Sequence, residues 1–134
     1  MQDKNRDLAR YRHELSKETL ANAKLCMENR FYRDAINRSY YAAFYAVRAV
    51  LAVENTDFKR HKDVMAYFNK TYVASEIFPR ELGRRLGRIQ MVREDSDYSD
   101  FFTASLEDAE KQYETAEMTI SLVEAYLKEK GVLE

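Results

Sequence analysis

Residues 32 to 53 read YRDAINRSYYAAFYAVRAVLAV, without a glycine or a proline. A helix turns about 100° per residue, which brings residues three and four apart onto the same face. One face of this helix is then an ordinary core stripe, formed by Ile36, Tyr40, Ala43, Phe44, Val47 and Leu51. The stretch therefore predicts a helix from about Tyr32 to Val53 around which the remaining chain packs.

The same helix carries a second face, about 140° from the core stripe. This face, which we name the Arg/Tyr face, consists of Arg38, Tyr41, Tyr45 and Arg48. Small side chains that allow another helix to approach closely fill the flank between the two faces, namely Ala35, Ala42, Ala46 and Ala49. A helix that is apolar nearly all round is usually buried on more than one side, so we expect a homodimer to complete its burial.

The Arg/Tyr face has three interpretations that the sequence leaves open. Tyrosine often covers a core with its hydroxyl in solvent, which would make the face purely structural. The face would otherwise form a subunit interface. It would alternatively form a site in which arginine donors and tyrosine rings bind the phosphates and bases of RNA or of a nucleotide.

The whole chain fits a single all-α domain, residues 1–134. This length is enough for one core and too short for two domains. Three glycines and one proline leave little material for the turns of a β fold. We predict four further helices, at residues 5–28, at 61 to about 73, from Pro79 onward, and after Ser105. Short connections favour antiparallel neighbours, so the expected architecture is an up-down antiparallel helical bundle of about five helices.

The last of these helices has the clearest pattern. Ser105 and Asp108 resemble a capping box at its start, and Gly131 is suited to end it. Its apolar residues, three and four apart, form one seam of a packed helix: Leu106, Ala109, Tyr113, Ala116, Ile120, Val123 and Leu127.

Charge and composition exclude several classes of protein. The net charge of −1 gives no global positive field for non-specific binding to nucleic acid or a membrane surface, so any such binding needs a local patch. The first six residues are polar and no apolar segment follows them, which predicts no secretory signal. The longest apolar run, residues 40–47, is far below the ~20 residues of a membrane span. We expect a cytoplasmic protein without a membrane association.

No pattern predicts a metal or a cofactor. Cys26 is the only cysteine, which excludes an internal disulfide and a multi-cysteine zinc site. The acidic stretch at residues 94–100 lacks the glycine and the bidentate glutamate of a calcium-binding loop. A glycine-rich phosphate loop, a nucleophile elbow and a His-Glu-x-x-His zinc motif are all absent.

The best local patch for RNA lies between residues 80 and 93. Arginine is suited to bidentate contacts with phosphate. The alternative is a solvated helix face that pairs with the acidic stretch after it, for example Arg93 with Asp97. Glu81 alone opposes the five arginines of this segment, which are Arg80, Arg84, Arg85, Arg88 and Arg93.

The chain has two histidines, His13 and His61. Six residues separate Arg6 from His13, a spacing that chance explains in so arginine-rich a sequence. In an up-down bundle the start of the third helix and the end of the fourth lie at the same end, so His61 can meet Arg48 and Arg93 there. The alternative is that His61 is an exposed residue near a helix start.

Two segments, YRDAINRSYYAAFYA at residues 32–46 and REDSDY at residues 93–98, resemble the HEPN family. The resemblance covers nearly the whole chain. The chain resembles in particular the short stand-alone prokaryotic HEPN proteins, many of them encoded beside small nucleotidyltransferases. It implies a helical bundle that dimerises. In active members it implies a metal-independent ribonuclease at the dimer interface, whose motif is an arginine and a histidine separated by four to six residues.

Arg93 fits the arginine of this motif, but the positions for its histidine hold Tyr98, Ser99 and Asp100. In the chemistry that the resemblance implies, arginine stabilises the phosphorane charge and histidine moves protons during attack by the 2′-hydroxyl. A tyrosine with a pKa of about 10 is a poor proton shuttle at neutral pH. Either Tyr98 with Asp97 replaces the imidazole, His61 supplies it from another helix, or the fold has kept binding and lost catalysis.

The resemblance thus implies a dimeric component of a toxin–antitoxin or defence module that acts on or binds RNA, with a small nucleotidyltransferase as its partner. The competing hypotheses are a non-catalytic dimeric module that binds a nucleotide or a protein, and a purely structural helical scaffold. The predicted catalytic residues are Arg93, Asp97, Tyr98 and His61. The predicted binding or dimer groove consists of Arg38, Tyr41, Tyr45, Arg48, Arg84, Arg85 and Arg88.

Overall fold

The computed structural model describes all 134 residues, and every regular element in it is helical. No helix combines the length and the hydrophobicity that a membrane span requires. The predicted all-α, up-down bundle of about five helices is confirmed. The helices are α1 (Asp3–Glu28), α2 (Tyr32–Val53), α3 (His61–Phe68), α4 (Arg80–Tyr98) and α5 (Leu106–Glu129).

Helix α2 is the central element of the bundle, because it contacts α1, α3, α4 and α5. Its contact with α1 is the most extensive, and the fully buried Ala9 and Ala23 of α1 let two long helices approach closely. The alanine flank of α2 is also fully buried within the single chain: Ala35, Ala42, Ala46 and Ala49. The alanines therefore need no second subunit to cover them, and the expectation of a homodimer now depends on the half-buried Arg/Tyr face alone.

The third predicted helix consists of two parts. After α3 the backbone continues as a π-helical turn, Asn69–Val73, which is wider than an α-helical turn. Helix α4 packs against this turn. Gly83 makes the close approach feasible, because a Cβ atom at this position would lie 2.9 Å from Cγ1 of Val73.

Helix α5 begins and ends where the sequence predicts. The amide of Asp108 donates to Oγ of Ser105 over 3.1 Å, and the amide of Ser105 donates to Oδ2 of Asp108 over 3.2 Å. This is a complete capping box, which satisfies amides that the first helical turn leaves unpaired. At the other end Gly131 has a φ of 75°, in the left-handed region that favours glycine after a helix.

Candidate functional site

His61 is the first residue of α3, and its imidazole packs on the aromatic side chains of α2. The ring centroids of His61 and Phe44 lie 4.0 Å apart, and those of His61 and Tyr41 lie 5.7 Å apart. A hydrogen bond of 3.3 Å joins Nδ1 of His61 to the hydroxyl of Tyr40. The imidazole is therefore held in one orientation by a side chain that the sequence assigns to the core.

Two guanidinium groups flank this aromatic cluster. The guanidinium carbon of Arg93 lies 4.5 Å from the centroid of the Tyr40 ring, and that of Arg48 lies 5.7 Å from the centroid of the Phe44 ring. Nε of each arginine is buried and has no hydrogen-bond acceptor within the chain. The structure therefore brings His61, Arg48 and Arg93 together, and both arginines keep donors that the chain does not satisfy.

The environment of His61 favours its neutral form. Burial lowers the pKa of the imidazole, and the positive charges of Arg93 and Arg48 lower it further. Burial raises the pKa of the Tyr40 hydroxyl to about 12, so this group stays protonated at neutral pH. A neutral imidazole between two permanent cations is suited to accept a proton next to a bound anion.

An open cleft of about 390 Å³ adjoins His61. Loop residues 57–59 form one wall of it, and Phe44, Arg48 and His61 form the other. The side chain of Phe58 is 37% exposed and packs on Tyr67 in a tilted arrangement, with ring centroids 5.2 Å apart. The cleft thus combines cations with an accessible aromatic ring, which are the groups that bind the phosphates and bases of single-stranded nucleic acid.

The model of the HEPN domain family matches residues 9–126. The chain belongs to the HEPN family. It is 31% identical to a UPF0332 protein of Thermotoga maritima over 114 residues, which cover 85% of this chain and 86% of that protein. It is also 33% identical to a Methanocaldococcus jannaschii protein named "Putative toxin MJ0605" over 116 residues, 87% of this chain and 86% of that protein. A second protein of that organism, named "Putative toxin MJ0142", is 26% identical over 130 residues, 92% of this chain and 88% of that protein.

The segment of this HEPN protein that carries the incomplete motif lies at the end of α4. Nη1 of Arg93 donates to Oδ2 of Asp97 over 3.4 Å, which is the predicted pair four residues apart. Tyr98 is the last residue of α4 and is 76% exposed, and its side chain forms no hydrogen bond within the chain. Of the two proposed replacements for the missing histidine, only His61 therefore lies in an environment that adapts a side chain to proton transfer.

The Arg/Tyr face of α2 continues from this cluster along the helix. The guanidinium carbon of Arg38 lies 5.1 Å from the centroid of the Tyr41 ring, and the Tyr41 and Tyr45 ring centroids lie 5.9 Å apart. Because Tyr41 also packs on His61, residues 38, 41, 45 and 48 form one surface with the imidazole. All four side chains are only half-buried, so this surface is accessible in the single chain.

The three other arginines predicted for the groove lie elsewhere. Arg84, Arg85 and Arg88 line a different cleft, between α4 and α5. On α4, Arg84 and Arg88 lie about 180° and 140° around the helix axis from Arg93. A helix distributes side chains at these spacings to different faces, so Arg93 does not share the cleft of Arg84, Arg85 and Arg88.

Two residues outside the predicted site hold Arg48 in place. Oδ2 of Asp57 accepts hydrogen bonds from Nη2 of Arg48 over 2.6 Å and from Nη2 of Arg12 over 2.9 Å. Arg12 also donates to the backbone carbonyl of Arg48 over 3.1 Å. Burial alone would raise the pKa of the Asp57 carboxyl, but the hydrogen bonds from Arg48 and from the amide of Phe58 lower it below its ordinary value. Asp57 is thus an ionised anchor for Arg48.

The second histidine has a different environment. His13 of α1 is 6% exposed, and its Nε2 lies 2.9 Å from Oε1 of Glu124 in α5. The pair joins two helices of the bundle and takes no part in the cluster around His61. No group of three or more His, Cys, Asp or Glu side chains is arranged to hold a metal ion.

Proposed function

We propose that this HEPN protein is a ribonuclease of a toxin–antitoxin or defence module, and that His61 replaces the histidine missing from its motif. The observation that supports the proposal most directly is the position of the His61 imidazole between Arg48 and Arg93, with a lowered pKa. The names of the two Methanocaldococcus relatives support the toxin role. A homodimer and a small nucleotidyltransferase partner are part of the proposal, since the family resemblance implies both.

The proposed reaction needs no metal. Neutral His61 takes the proton of the RNA 2′-hydroxyl, and the 2′-oxygen attacks the adjacent phosphorus. The guanidinium groups of Arg93 and Arg48 stabilise the negative charge of the phosphorane. The bond from phosphorus to the 5′-oxygen then breaks, and that oxygen takes a proton from solvent. The products are a 2′,3′-cyclic phosphate and a 5′-hydroxyl end.

Cleavage assays with purified variants test the proposal. His61→Ala and Arg93→Ala are expected to lower the rate of RNA cleavage by about 10²-fold or more, which is typical of lost acid–base or electrostatic catalysis. Tyr98→Phe should retain the wild-type rate. Arg80→Ala, which removes an exposed arginine from the same helix, is the control. Loss of activity in Tyr98→Phe with retention in His61→Ala would contradict the role of His61.

A second candidate function is a non-catalytic module that binds RNA or a nucleotide at the same surface. The absence of a histidine at positions 98 to 100 favours it. It predicts saturable binding that Arg93→Ala and Arg48→Ala weaken, together with RNA that remains intact after prolonged incubation. Formation of the cyclic phosphate product by the wild-type protein, and not by His61→Ala, would exclude this candidate.

A further inference from the structure

A second polar cleft, of about 290 Å³, lies between α4 and α5. No hydrophobic side chain lines it. Its walls carry four cationic side chains and two carboxylates, in a protein whose overall net charge is −1. These six charged residues are Arg84, Arg85, Arg88, Lys111, Glu81 and Glu114.

The positive charges of this cleft are only partly neutralised. Oε1 of Glu81 is shared by two arginines, at 2.6 Å from Nη2 of Arg84 and 3.1 Å from Nε of Arg85. Arg88 has neither a salt bridge nor a side-chain hydrogen bond. Exposed pairs between residues three and four apart on a helix are weak and exchange readily. An anion that enters the cleft can therefore replace the Glu81 carboxylate on both guanidinium groups.

Gln112 of α5 provides an independent indication that the cleft holds a polar ligand. The residue lines the cleft and is only 3% exposed. Its side-chain oxygen is shielded from solvent and has no hydrogen-bond partner. Buried amides are almost always hydrogen-bonded in folded proteins. The chain by itself leaves the Gln112 oxygen unsatisfied in a cleft where Lys111 pairs with Glu107 and Arg88 has no acidic partner.

We propose that the cleft between α4 and α5 is a phosphate-binding site, separate from the His61 cluster. Arginine side chains bind phosphate oxygens in pairs, and the amide of Gln112 can turn to contribute a donor. The lining has no aromatic or aliphatic side chain on which a base can stack, so the site recognises the phosphates of its ligand and not the base. These phosphates belong either to the backbone of an RNA strand or to a free nucleotide or polyphosphate.

Calorimetric titration with pyrophosphate tests the site directly. The double variant Arg84→Gln/Arg88→Gln is expected to raise the Kd at least tenfold, and Glu81→Gln to lower it severalfold. Gln112→Leu should also raise the Kd, with folding verified by circular dichroism. Arg80→Gln removes the same charge from the same helix outside the cleft and should leave the Kd unchanged. Absence of binding, or equal losses in the double variant and in Arg80→Gln, would overturn the proposal.

A second titration with a 12-nucleotide single-stranded RNA identifies the source of the phosphates. If the double variant raises the Kd for RNA and the Kd for pyrophosphate by similar factors, the site holds an RNA backbone. If the double variant raises only the Kd for pyrophosphate, the site holds a free nucleotide or polyphosphate. Arg93→Gln should leave the pyrophosphate affinity of this cleft intact, so failure of the proposed ribonuclease and failure of this site are distinguished.

Discussion

His61 lies 32 residues before Arg93 in the chain, outside the segment in which the family motif places its histidine. The tertiary structure nevertheless sets its imidazole against Phe44 and Tyr40, next to Arg93. A motif defined by spacing along one helix does not reveal such a replacement. What does reveal it is the bundle topology, which brings the start of α3 and the end of α4 to the same end of the molecule.

The pKa of His61 is a direct test at the level of this residue. Because burial and two cations disfavour the imidazolium, its pKa is expected below the ordinary value of 6.5. Arg93→Gln and Arg48→Gln each remove one of these charges and should raise it. Proton NMR titration of the imidazole signals measures the change. The only other histidine, His13, provides an internal reference, and an unchanged His61 pKa in both variants would contradict the arrangement.

The pH dependence of RNA cleavage follows from the same shift. A general base works in its deprotonated form, so a lowered pKa preserves activity below pH 6.5. The acidic limb of the pH–rate profile should therefore lie below this value in the wild-type protein and move to higher pH in Arg48→Gln. A limb that stays in place, while the NMR pKa of His61 moves, would show that another group is the base.

Helix α4 contains two glycines, Gly83 and Gly87, whose replacement by alanine should have opposite effects on the stability of the protein. A Cβ atom at Gly87 would have nothing within 4 Å, whereas one at Gly83 would press on Val73 of the π-helical turn. Gly87→Ala is expected to stabilise the protein by about 0.5–1 kcal/mol through helix propensity. Gly83→Ala should destabilise it by about 1–3 kcal/mol, because the stiff valine must move. Urea unfolding measures both, and similar shifts in the two variants would exclude a packing role for Gly83.

Sequence patterns predicted the elements well where local chemistry determines them. The period of α2 defines its core stripe, and the Ser105 and Asp108 pair specifies the start of α5. Patterns failed for the arginines of α4, because their density along the chain does not show which helix face each occupies. They also failed to detect the π-helical turn, whose Val73 packs closely against Gly83.

At the scale of the whole molecule, three groups make stability sensitive to acid. The pKa of Asp57 and Glu124 is lowered on folding from ordinary values of 3.8 and 4.5. Burial alone would raise both, but hydrogen bonds from Arg48 and the Phe58 amide to Asp57, and from His13 to Glu124, outweigh it. The contribution of each carboxylate to the free energy of unfolding is complete above its ordinary pKa. It is lost as the pH falls through the pKa that the group has in the folded protein. The pKa of His61 is also lowered, so its contribution declines already below pH 6.5. All three groups therefore lower the free energy of unfolding as the pH falls.

The free energy of unfolding should therefore decrease in two steps as the pH falls from 7. Urea titrations at a series of pH values measure it. His61→Gln should remove the decrease that begins near pH 6.5, and Glu124→Gln should reduce the one below pH 4.5. Glu107→Gln, which removes an exposed pair with Lys111, is the control. A wild-type stability that is constant from pH 7 to pH 3 would contradict the assignment.

The proposed homodimer is a further prediction at this scale. Light scattering should give a mass of twice the 15.9 kDa of the chain at micromolar concentration. Tyr45→Glu introduces a charge on the Arg/Tyr face and should convert the protein to a monomer. Tyr11→Glu alters a tyrosine of α1 that is 64% exposed and should leave the dimer intact. A wild-type monomer would contradict a site at a subunit interface.

Long-range contacts account for the part of the site that sequence analysis did not predict. Asp57 lies in the loop after α2, and Arg12 lies in α1, 45 residues before Asp57. Both nevertheless contact Arg48. Neither belongs to a motif, and a lone aspartate in a loop is an ordinary feature of any sequence. Only the packing of α1 along α2 brings the three side chains together.

The contact of Arg12 with Asp57 has a genetic consequence. Arg12 is 8% exposed and lies outside the cleft next to His61, so a comparison of surface residues would pass over it. If expression of this HEPN protein arrests growth, selection for surviving cells should recover substitutions at Arg12 and Asp57 beside those at Arg93 and His61. Such survivors would produce folded protein in normal amounts, and their defect would be traced to an arginine that has lost its anchor.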